Sequence, residues 1–172
     1  VAATATEQIV AGKILIVADG KAADAKAANY GYLPVRDVTA IGGTINEVAY
    51  YAFELEAAEG GWYIKDNAGK YLYMTGTYNS FNMIDTVPAE GGVWTIAIAE
   101  DGTATITNVA MSKYVQYSTK HTSYGAYAEA QDGGVVPTLY VPYVEPEPEV
   151  TAGFVHSNTE LTLIETTEYP EG

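Results

Sequence analysis

Two segments of the sequence, GKYLYMTGTYNSF at residues 69–81 and SKYVQYSTKHTSY at residues 112–124, follow the same pattern. Each begins with a Lys-Tyr pair, and Lys70 and Lys113 are 43 positions apart. The longer stretches 53–74 and 94–117 also align, each with an aromatic-led strand, a glycine turn, a second strand and then the Lys-Tyr strand. Repeats with a period of about 20–50 residues indicate repeated supersecondary units. The pattern therefore predicts that one structural unit occurs at least twice.

A third, weaker copy of the unit lies upstream. GKILIVADG at residues 12–20 matches the Gly-Lys opening, with Lys13 in the place of Lys70 and a longer loop before the next copy. This copy lacks its leading strand. TLYVPYV at residues 138–144 could supply that strand, which would pair the two ends of the domain.

Alternating apolar and polar residues predict strands throughout the repeats. Phe53, Leu55 and Ala57 alternate with glutamates, and Trp94 and Ile96 begin a similar run. Such alternation places one face of a strand in a core and the other in water. Glycine turns recur at 59–61, 66–69, 90–92, 100–102 and 132–134. Helix signals are nearly absent, and KAADAKAAN at 21–29 is too short and lacks an apolar face, so it reads as a loop or a single turn.

Three closed copies of about 40 residues predict an all-β fold, a small closed barrel of β-trefoil type. A two-sheet β-sandwich is the alternative, because short strands with regular turns are also typical of sandwiches. The predicted repeat domain covers residues 1–144, with the barrel over about 7–144.

Composition limits the partners. The chain has 22 acidic and 8 basic residues and a net charge of −14, a field that repels nucleic acid and anionic lipid. There is no cysteine, so disulfides and thiolate metal sites are excluded. No apolar run approaches the roughly 18 residues of a membrane span, and the first ten residues lack a signal-peptide pattern. We expect no nucleic acid, no membrane insertion of this segment and no cofactor.

The sequence changes character after Val144. A Glu-Pro spacer at 145–150 precedes a tail at 151–172, in which TELTLIETTE at 159–168 alternates, with Leu161 and Leu163 on one face. Three interpretations remain open. The tail donates a strand to the next subunit with these leucines as anchors, folds back on its own barrel, or is a linker.

Five blocks carry a family resemblance: LIVADGKAA, NYGYLPV, GKYLYMTGTYNSFN, DGTATITN and KYVQYSTKHTSYGAY. In this order they resemble a poorly characterised domain of secreted and outer-membrane lipoproteins of Bacteroidetes, over residues 11–143. The resemblance implies an extracellular or outer-membrane location in a bacterium. The Lys-Tyr repeat is also similar to that of ricin-type trefoils, but their Gln-x-Trp motif is absent here.

No catalytic set emerges from the sequence. His121 aligns with Tyr78 of the sister repeat, and His156 lies in the tail. Most acids fall at turns or on polar strand faces, where solvated residues are expected, and DNAG and EDG do not continue as calcium loops. We therefore expect no catalytic residues, no metal site and no enzymatic activity.

The loops that follow the Lys-Tyr strands hold the candidate ligand-binding residues. Aromatic rings beside amide and hydroxyl groups suit a sugar, because the ring stacks on CH groups while the polar atoms bond hydroxyls. The alternative is that these aromatics plug the barrel end and hold the hairpins together. The candidates are Tyr78, Asn79, Phe81, His121, Ser123 and Tyr124.

These observations predict a non-enzymatic bacterial surface module with a structural or adhesive role. Assembly through the C-terminal strand into a fibre or larger surface protein would follow if the tail donates a strand. The alternative function is carbohydrate binding. Its partner would then be a glycan, whereas a structural role requires self-association through the tail.

Overall fold

The computed structural model describes residues 1–25, 30–46 and 51–144. The predicted spacer at 145–150 and tail at 151–172, with Leu161 and Leu163, therefore lie outside the described residues. A short 3₁₀ helix at Thr6–Gln8 precedes a series of strands. The strands are β1 (Gly12–Ala18), β2 (Lys21–Ala23), β3 (Tyr30–Gly31), β4 (Val35–Asp37), β5 (Phe53–Ala58), β6 (Gly61–Lys65), β7 (Tyr71–Tyr73), β8 (Phe81–Ile84), β9 (Trp94–Ile98), β10 (Ala104–Asn108), β11 (Lys113–Ser118), β12 (Ser123–Tyr127), β13 (Gly134–Val135) and β14 (Thr138–Tyr140).

The strands form three similar units, and every strand pairing in the described residues is antiparallel. Strands β5 and β6 form the hairpin that opens the second unit, and β9 and β10 form the one that opens the third. The units are joined by the pairing of β1 with β5 and of β6 with β9. In the second and third units these strands are capped by the hairpins β7–β8 and β11–β12. The all-β prediction is confirmed.

The two ends of the domain pair with each other. Strand β14 lies antiparallel to β1, with Leu15 opposite Tyr140 and Val17 opposite Thr138. The prediction that the 138–144 segment supplies the missing strand of the first copy is confirmed for 138–140. The ladder of paired strands does not close, however: β10 and β14 are joined through one bond from the Ala104 N–H to the Pro137 carbonyl, 2.7 Å long. Proline has no N–H to return a second bond.

The register of the first copy differs from the sequence alignment. Gly12 and Lys13 begin β1 in the barrel ladder, whereas the turn that precedes the first hairpin is at Gly20, before Lys21. Gly20, Gly69 and Ser112 all have positive φ, at 68°, 80° and 51°. Each of these residues is followed by the lysine of its unit, so Lys21, and not Lys13, is the counterpart of Lys70 and Lys113. The three units share a left-handed turn before this lysine.

One loop assignment is also corrected. Lys21–Ala23 is strand β2, which pairs with both β1 and β4, rather than a loop or helical turn. Ladder bonds on both sides outweigh the weak helical preference of a short alanine-rich stretch. Residues 26–29 of the same stretch lie outside the described residues.

The core follows the predicted alternation. Phe53, Leu55, Trp94 and Ile96 are buried, and each such side chain contributes roughly 1.5–3 kcal/mol on burial. The indole N–H of Trp94 donates to the Leu72 carbonyl at 3.1 Å, which satisfies the polar atom of this buried ring. Ala57 is an exception to the pattern: it is exposed near the end of β5, beside the turn into β6.

Among the described residues, no helix is long and apolar enough to cross a membrane. The same part of the chain contains no group of three or more His, Asp or Glu side chains arranged to hold a metal ion.

Candidate functional site

A cleft of about 400 Å³ opens beside the hairpin of the third unit. Its volume lies within the range of small-molecule sites, about 300–1,000 Å³. Two tyrosines and a set of short polar and charged side chains line it. We call it the tyrosine cleft; its residues are Tyr32, Ser118, Lys120, His121, Ser123, Tyr127, Gln131 and Asp132.

The turn of the β11–β12 hairpin holds the histidine at the edge of the cleft. The Thr122 N–H donates to the Ser118 carbonyl at 2.8 Å, and Thr122 has φ of 53°. The backbone N–H of His121 donates to the Ser118 hydroxyl at 3.2 Å. Ser118 and Ser123 are directly opposite each other across the two strands. The short hairpin therefore brings two hydroxyls and an exposed imidazole together.

The ring of Tyr127 lies over Gly125, two residues earlier on the same strand. A Cβ placed at Gly125 would be 2.9 Å from the Tyr127 hydroxyl oxygen and 3.0 Å from its Cε2. The glycine thus leaves room for the ring to rest on the strand. Burial raises the pKa of the Tyr127 phenol, and the neighbouring Tyr32 phenol raises it further. The hydroxyl therefore stays protonated and available as a donor.

Tyr32 reaches the cleft from the first unit. The adjacent Leu33 exchanges two backbone hydrogen bonds with Tyr124, both 3.0 Å long, which fixes this segment beside β12. Tyr32 is exposed, while Leu33 is buried. The cleft therefore joins two units that are about 90 positions apart in the chain.

The segment after β12 forms the polar side of the cleft. The Gln131 N–H donates to the Gln116 side-chain carbonyl at 3.0 Å, and the Gln116 amide donates to the Glu129 carbonyl at 2.9 Å. Gln116 is buried, so it anchors this segment from below. Lys120 and Asp132 form an exposed ion pair across the opening.

Two of the six predicted ligand-binding residues, His121 and Ser123, line the tyrosine cleft. Phe81 and Tyr124 are fully buried. Both rings belong to the core, as the alternative of barrel-plugging aromatics describes, and they leave the set of ligand-contacting candidates.

The loop of the second unit, which holds the candidates Tyr78 and Asn79, lies outside the tyrosine cleft. Tyr78 is 70% exposed but does not line the cleft. The Asn79 carbonyl accepts the Ala126 N–H at 2.9 Å, which is a structural role for that backbone. Lys113, the lysine of the repeated motif, donates to the carbonyls of Gly76 and Tyr78, each at 3.2 Å. The motif lysine here tethers one unit to the next.

Sequence reasoning missed six lining residues. Tyr127 could have been found, since Ser123, Gly125 and Tyr127 share one face of a strand under the period of two. Tyr32 carries no such signal, because only the fold brings it to β12. The others missed were Ser118, Lys120, Gln131 and Asp132.

The second unit lacks an equivalent site. At the 43-residue offset, Ile84 takes the place of Tyr127 and Thr75 that of Ser118. The corresponding cleft, about 290 Å³, is lined mainly by apolar groups such as Pro88 and Met111. The combination of two tyrosines with hydroxyl, amide and carboxylate groups is therefore a feature of the place where the first and third units meet and is not repeated in the second unit.

The cleft has the groups for binding a polyhydroxylated ligand. Tyrosine rings offer apolar faces, and the serines, Gln131 and Asp132 offer hydrogen-bonding atoms. Among the described residues that line it, Asp132 is the only carboxylate. Glycoside hydrolysis ordinarily uses two carboxyl groups that flank the bond to be cleaved.

No protein-family model matches the chain, and no curated protein matches it. Several solved structures do. A GlcNAcα1-4Gal-releasing endo-β-galactosidase from Clostridium perfringens is similar at 14% identity and a TM-score of 0.54 over 73% of this chain. The chain spans about a third of that enzyme, 32% of its length.

Two smaller proteins are matched over nearly their whole length. SeviL, solved with an asialo-GM1 saccharide, is similar at 15% identity and a TM-score of 0.53, over 78% of this chain and 100% of SeviL. The designed three-fold symmetric protein ThreeFoil is similar at 14% identity and a TM-score of 0.51, over 75% of this chain and 95% of that protein. ThreeFoil is a β-trefoil, so this likeness supports the trefoil class over the sandwich alternative.

Proposed function

We propose that this chain is a non-enzymatic carbohydrate-binding module of β-trefoil type, with the tyrosine cleft as its binding site. The observation that carries the proposal is the pairing of Tyr32 and Tyr127 with hydroxyl, amide and carboxylate groups in one cleft of about 400 Å³. A sugar ring has an apolar CH face and a polar rim, and the cleft offers a partner for each.

The negative net charge of the chain favours neutral glycans over anionic ones. With a net charge of −14, the protein repels sulfated and sialylated chains at long range. Lys120 does not offset this locally, because it is paired with Asp132. The ligand of the cleft is therefore a neutral saccharide.

Two of the similar structures support this choice without deciding it. One is an enzyme whose name describes release of GlcNAcα1-4Gal, and the other was solved with an asialo-GM1 saccharide. Their sequence identity to this chain is low, so they guide the choice of ligands to test rather than the assignment of residues.

We also propose that the module works outside a bacterial cell, at the surface or in a secreted protein. A composition rich in Tyr, Thr, Gly and Ala and poor in Lys, together with the resemblance to Bacteroidetes lipoprotein domains, supports this location. Fractionation of the source cells would test it, and recovery of the protein in the cytoplasm alone would contradict it.

The direct test is a titration of the full chain with neutral oligosaccharides, including galactose- and N-acetylglucosamine-containing ones, followed by NMR. We expect amide shifts concentrated at residues 31–33, 118–127 and 131–132, and weaker binding of sialylated counterparts. Shifts confined to another part of the barrel would remove the cleft as the site. No binding across the panel would remove the function itself.

A turnover assay with the same oligosaccharides tests the non-enzymatic part of the proposal. We expect no product at long incubation. Product formation that Asp132→Asn abolishes would instead make the cleft an active site.

A further inference from the structure

A second cavity, of about 420 Å³, lies where the start of β1 meets the end of β14, the first and last described strands. Its walls come from Val1 and Gln8, from the residues around the start of β1, such as Val10 and Lys13, and from the residues just after β14, such as Tyr143 and Val144. Three of these side chains are strongly exposed: Val10 at 62%, Tyr143 at 66% and Val144 at 82%. We call this the terminal groove.

The groove continues onto a neighbouring depression of about 320 Å³ that extends to Ile45. The two cavities share Val1, Lys13, Val141, Pro142 and Tyr143. Together they form an elongated, mainly apolar channel rather than an isolated dimple. Exposed apolar side chains grouped around one elongated cavity make it a candidate interaction surface.

Pro142 explains why continued pairing of β1 with β14 does not fill the terminal groove. The paired register of β1 and β14 ends with Leu15 opposite Tyr140. Two residues later Pro142 has no N–H to donate, so the ladder does not continue along Gly12 and Lys13. At Gly12 the backbone instead pairs with Leu55 of β5. The ends of β1 and β14 thus leave a slot between them.

We propose that the terminal groove is the docking site of this chain's own segment 159–168, with Leu161 and Leu163 seated against Val10, Tyr143 and Val144. The chain leaves the described structure at Val144, which itself lines the groove, and continues for 28 residues. Within those residues TELTLIETTE has alternating apolar positions that suit a one-sided apolar slot.

The length of the connection permits this return. Residues 145–149 alternate Glu and Pro, and a Pro-rich segment can reach about 3.1 Å per residue, roughly 15 Å for five residues. Residues 150–158, which include Gly153, can span up to about 30 Å back. A tethered segment has an effective concentration in the millimolar range, so the chain's own tail outcompetes a second copy at ordinary concentrations.

Apolar contact has to drive this docking. The tail has seven glutamates and no Lys or Arg, and residues 1–144 have 15 acidic and 8 basic residues, so both parts carry a charge of −7. Lys13, at the groove, is the local exception, although Glu54 already pairs with it at 2.8 Å. Salt screens the general repulsion and should therefore strengthen the docking.

The absence of cysteine from the chain makes a disulfide test clean. The full chain would carry Val10→Cys with Leu161→Cys, and mild oxidation would be followed at low micromolar protein on non-reducing gels. We expect an intramolecular disulfide that forms at least tenfold faster than in two controls. One control pairs Val10→Cys with Thr162→Cys on the opposite face of the segment. The other pairs Leu161→Cys with Val87→Cys, which is exposed outside the groove.

Equal rates for all three pairs would overturn the proposal and make the tail a linker. A disulfide-linked dimer whose share falls on dilution would also overturn it, in favour of docking on a second copy. Hydrogen exchange on a cysteine-free chain gives an independent check. Leu161→Asn with Leu163→Asn should raise amide exchange at residues 10–13, 143 and 144 several-fold, whereas Thr162→Asn with Thr166→Asn should not. Addition of 0.5 M salt should slow exchange at the same amides in the parent chain.

Discussion

The phenol of Tyr124 donates a 2.6 Å hydrogen bond to the backbone carbonyl of Lys21, which lies 103 positions earlier in the chain. The bond joins the hairpin of the third unit to the turn that opens the hairpin of the first. Tyr124 is fully buried, and burial raises the pKa of its phenol, so the donor stays protonated. Tyr124, which the sequence pattern predicted as a ligand-binding residue, therefore links the third unit to the first.

Tyr124→Phe tests this tie. Removing the hydroxyl leaves the Lys21 carbonyl without its donor, and an unsatisfied buried group costs about 1–3 kcal/mol. We expect the free energy of unfolding in urea to fall by that amount, with glycan binding retained. Tyr78→Phe, which alters an exposed hydroxyl, should leave stability unchanged. A Tyr124→Phe chain as stable as the parent would show that the bond contributes nothing.

Tyr127→Ile tests the proposed binding platform by installing the residue that the second unit has at the same place, Ile84. An isoleucine cannot offer a flat ring or a phenol donor. We expect affinity for the neutral saccharide to fall at least tenfold, about 1.4 kcal/mol, with little change in melting temperature.

Tyr78→Ala is the matched control for that experiment, because Tyr78 is an exposed tyrosine outside the cleft. Its affinity should equal that of the parent chain. If Tyr78→Ala weakens binding and Tyr127→Ile does not, the ligand binds at the loop of the second unit and the cleft is not the site.

Gly91→Ala should be among the most destabilising single-methyl additions. Gly91 has φ of 69°, and a Cβ there would be 2.0 Å from the Met74 carbonyl oxygen. The Gly91 carbonyl also accepts bonds from the Met74 N–H at 3.0 Å and the Asn108 amide at 2.8 Å. Moving the backbone to relieve the clash would weaken both bonds.

The control is Gly102→Ala, where φ is 82° but no atom lies within 4 Å of an added Cβ. Gly102→Ala should therefore lose only the cost of a left-handed backbone at a residue other than glycine, about 1–2 kcal/mol. Urea unfolding should show that Gly91→Ala loses clearly more than this, about 3 kcal/mol or more. Equal losses would mean that the close approach to Met74 is relieved without cost.

On the polar face of β5 and β6, the ion pairs of Lys65 should make the stability of the protein in acid depend on this lysine. Its ammonium group is 2.8 Å from Glu56 and 3.9 Å from Glu54. The hydrogen bond from Lys65 holds the pKa of Glu56 below its ordinary value, and the bond from Lys13 does the same for Glu54. A lowered folded-state pKa contributes stability above the unfolded-state pKa, and this is lost as pH falls through the lowered value.

Lys65→Met should therefore raise the pKa of Glu56 toward that of a free glutamate, as followed by NMR titration of the carboxyl carbon. The loss of unfolding free energy between about pH 5 and pH 3 should be smaller in the variant than in the parent chain. The Lys65 side chain is 18% exposed and that of Glu56 41%, so solvent screens the pair in part and the change in unfolding free energy at pH 7 should be small. An unchanged Glu56 titration would show that the ion pair does not persist in solution.

The all-β class and the repeated unit follow from the sequence by itself. The alternation around Trp94 and Ile96 and the recurring glycine turns are local properties, since a strand's two faces and a turn's φ angles depend on neighbouring residues. The 43-residue offset between Lys70 and Lys113 survives in the structure because the two hairpins pair in the same register.

Which aromatics line the cleft and which lie in the core depends on the tertiary structure. Phe81 and Tyr124 lie as close to the loops as His121, yet both are buried, Phe81 beside the Trp94 ring and Tyr124 beside the Tyr117 ring. The cleft itself depends on Leu33 bonding to Tyr124, a contact between residues more than 90 positions apart, which brings Tyr32 into the same cleft as Tyr127. Local pattern specifies which residues can form a strand, whereas burial and the meeting of distant side chains depend on how whole strands pack together.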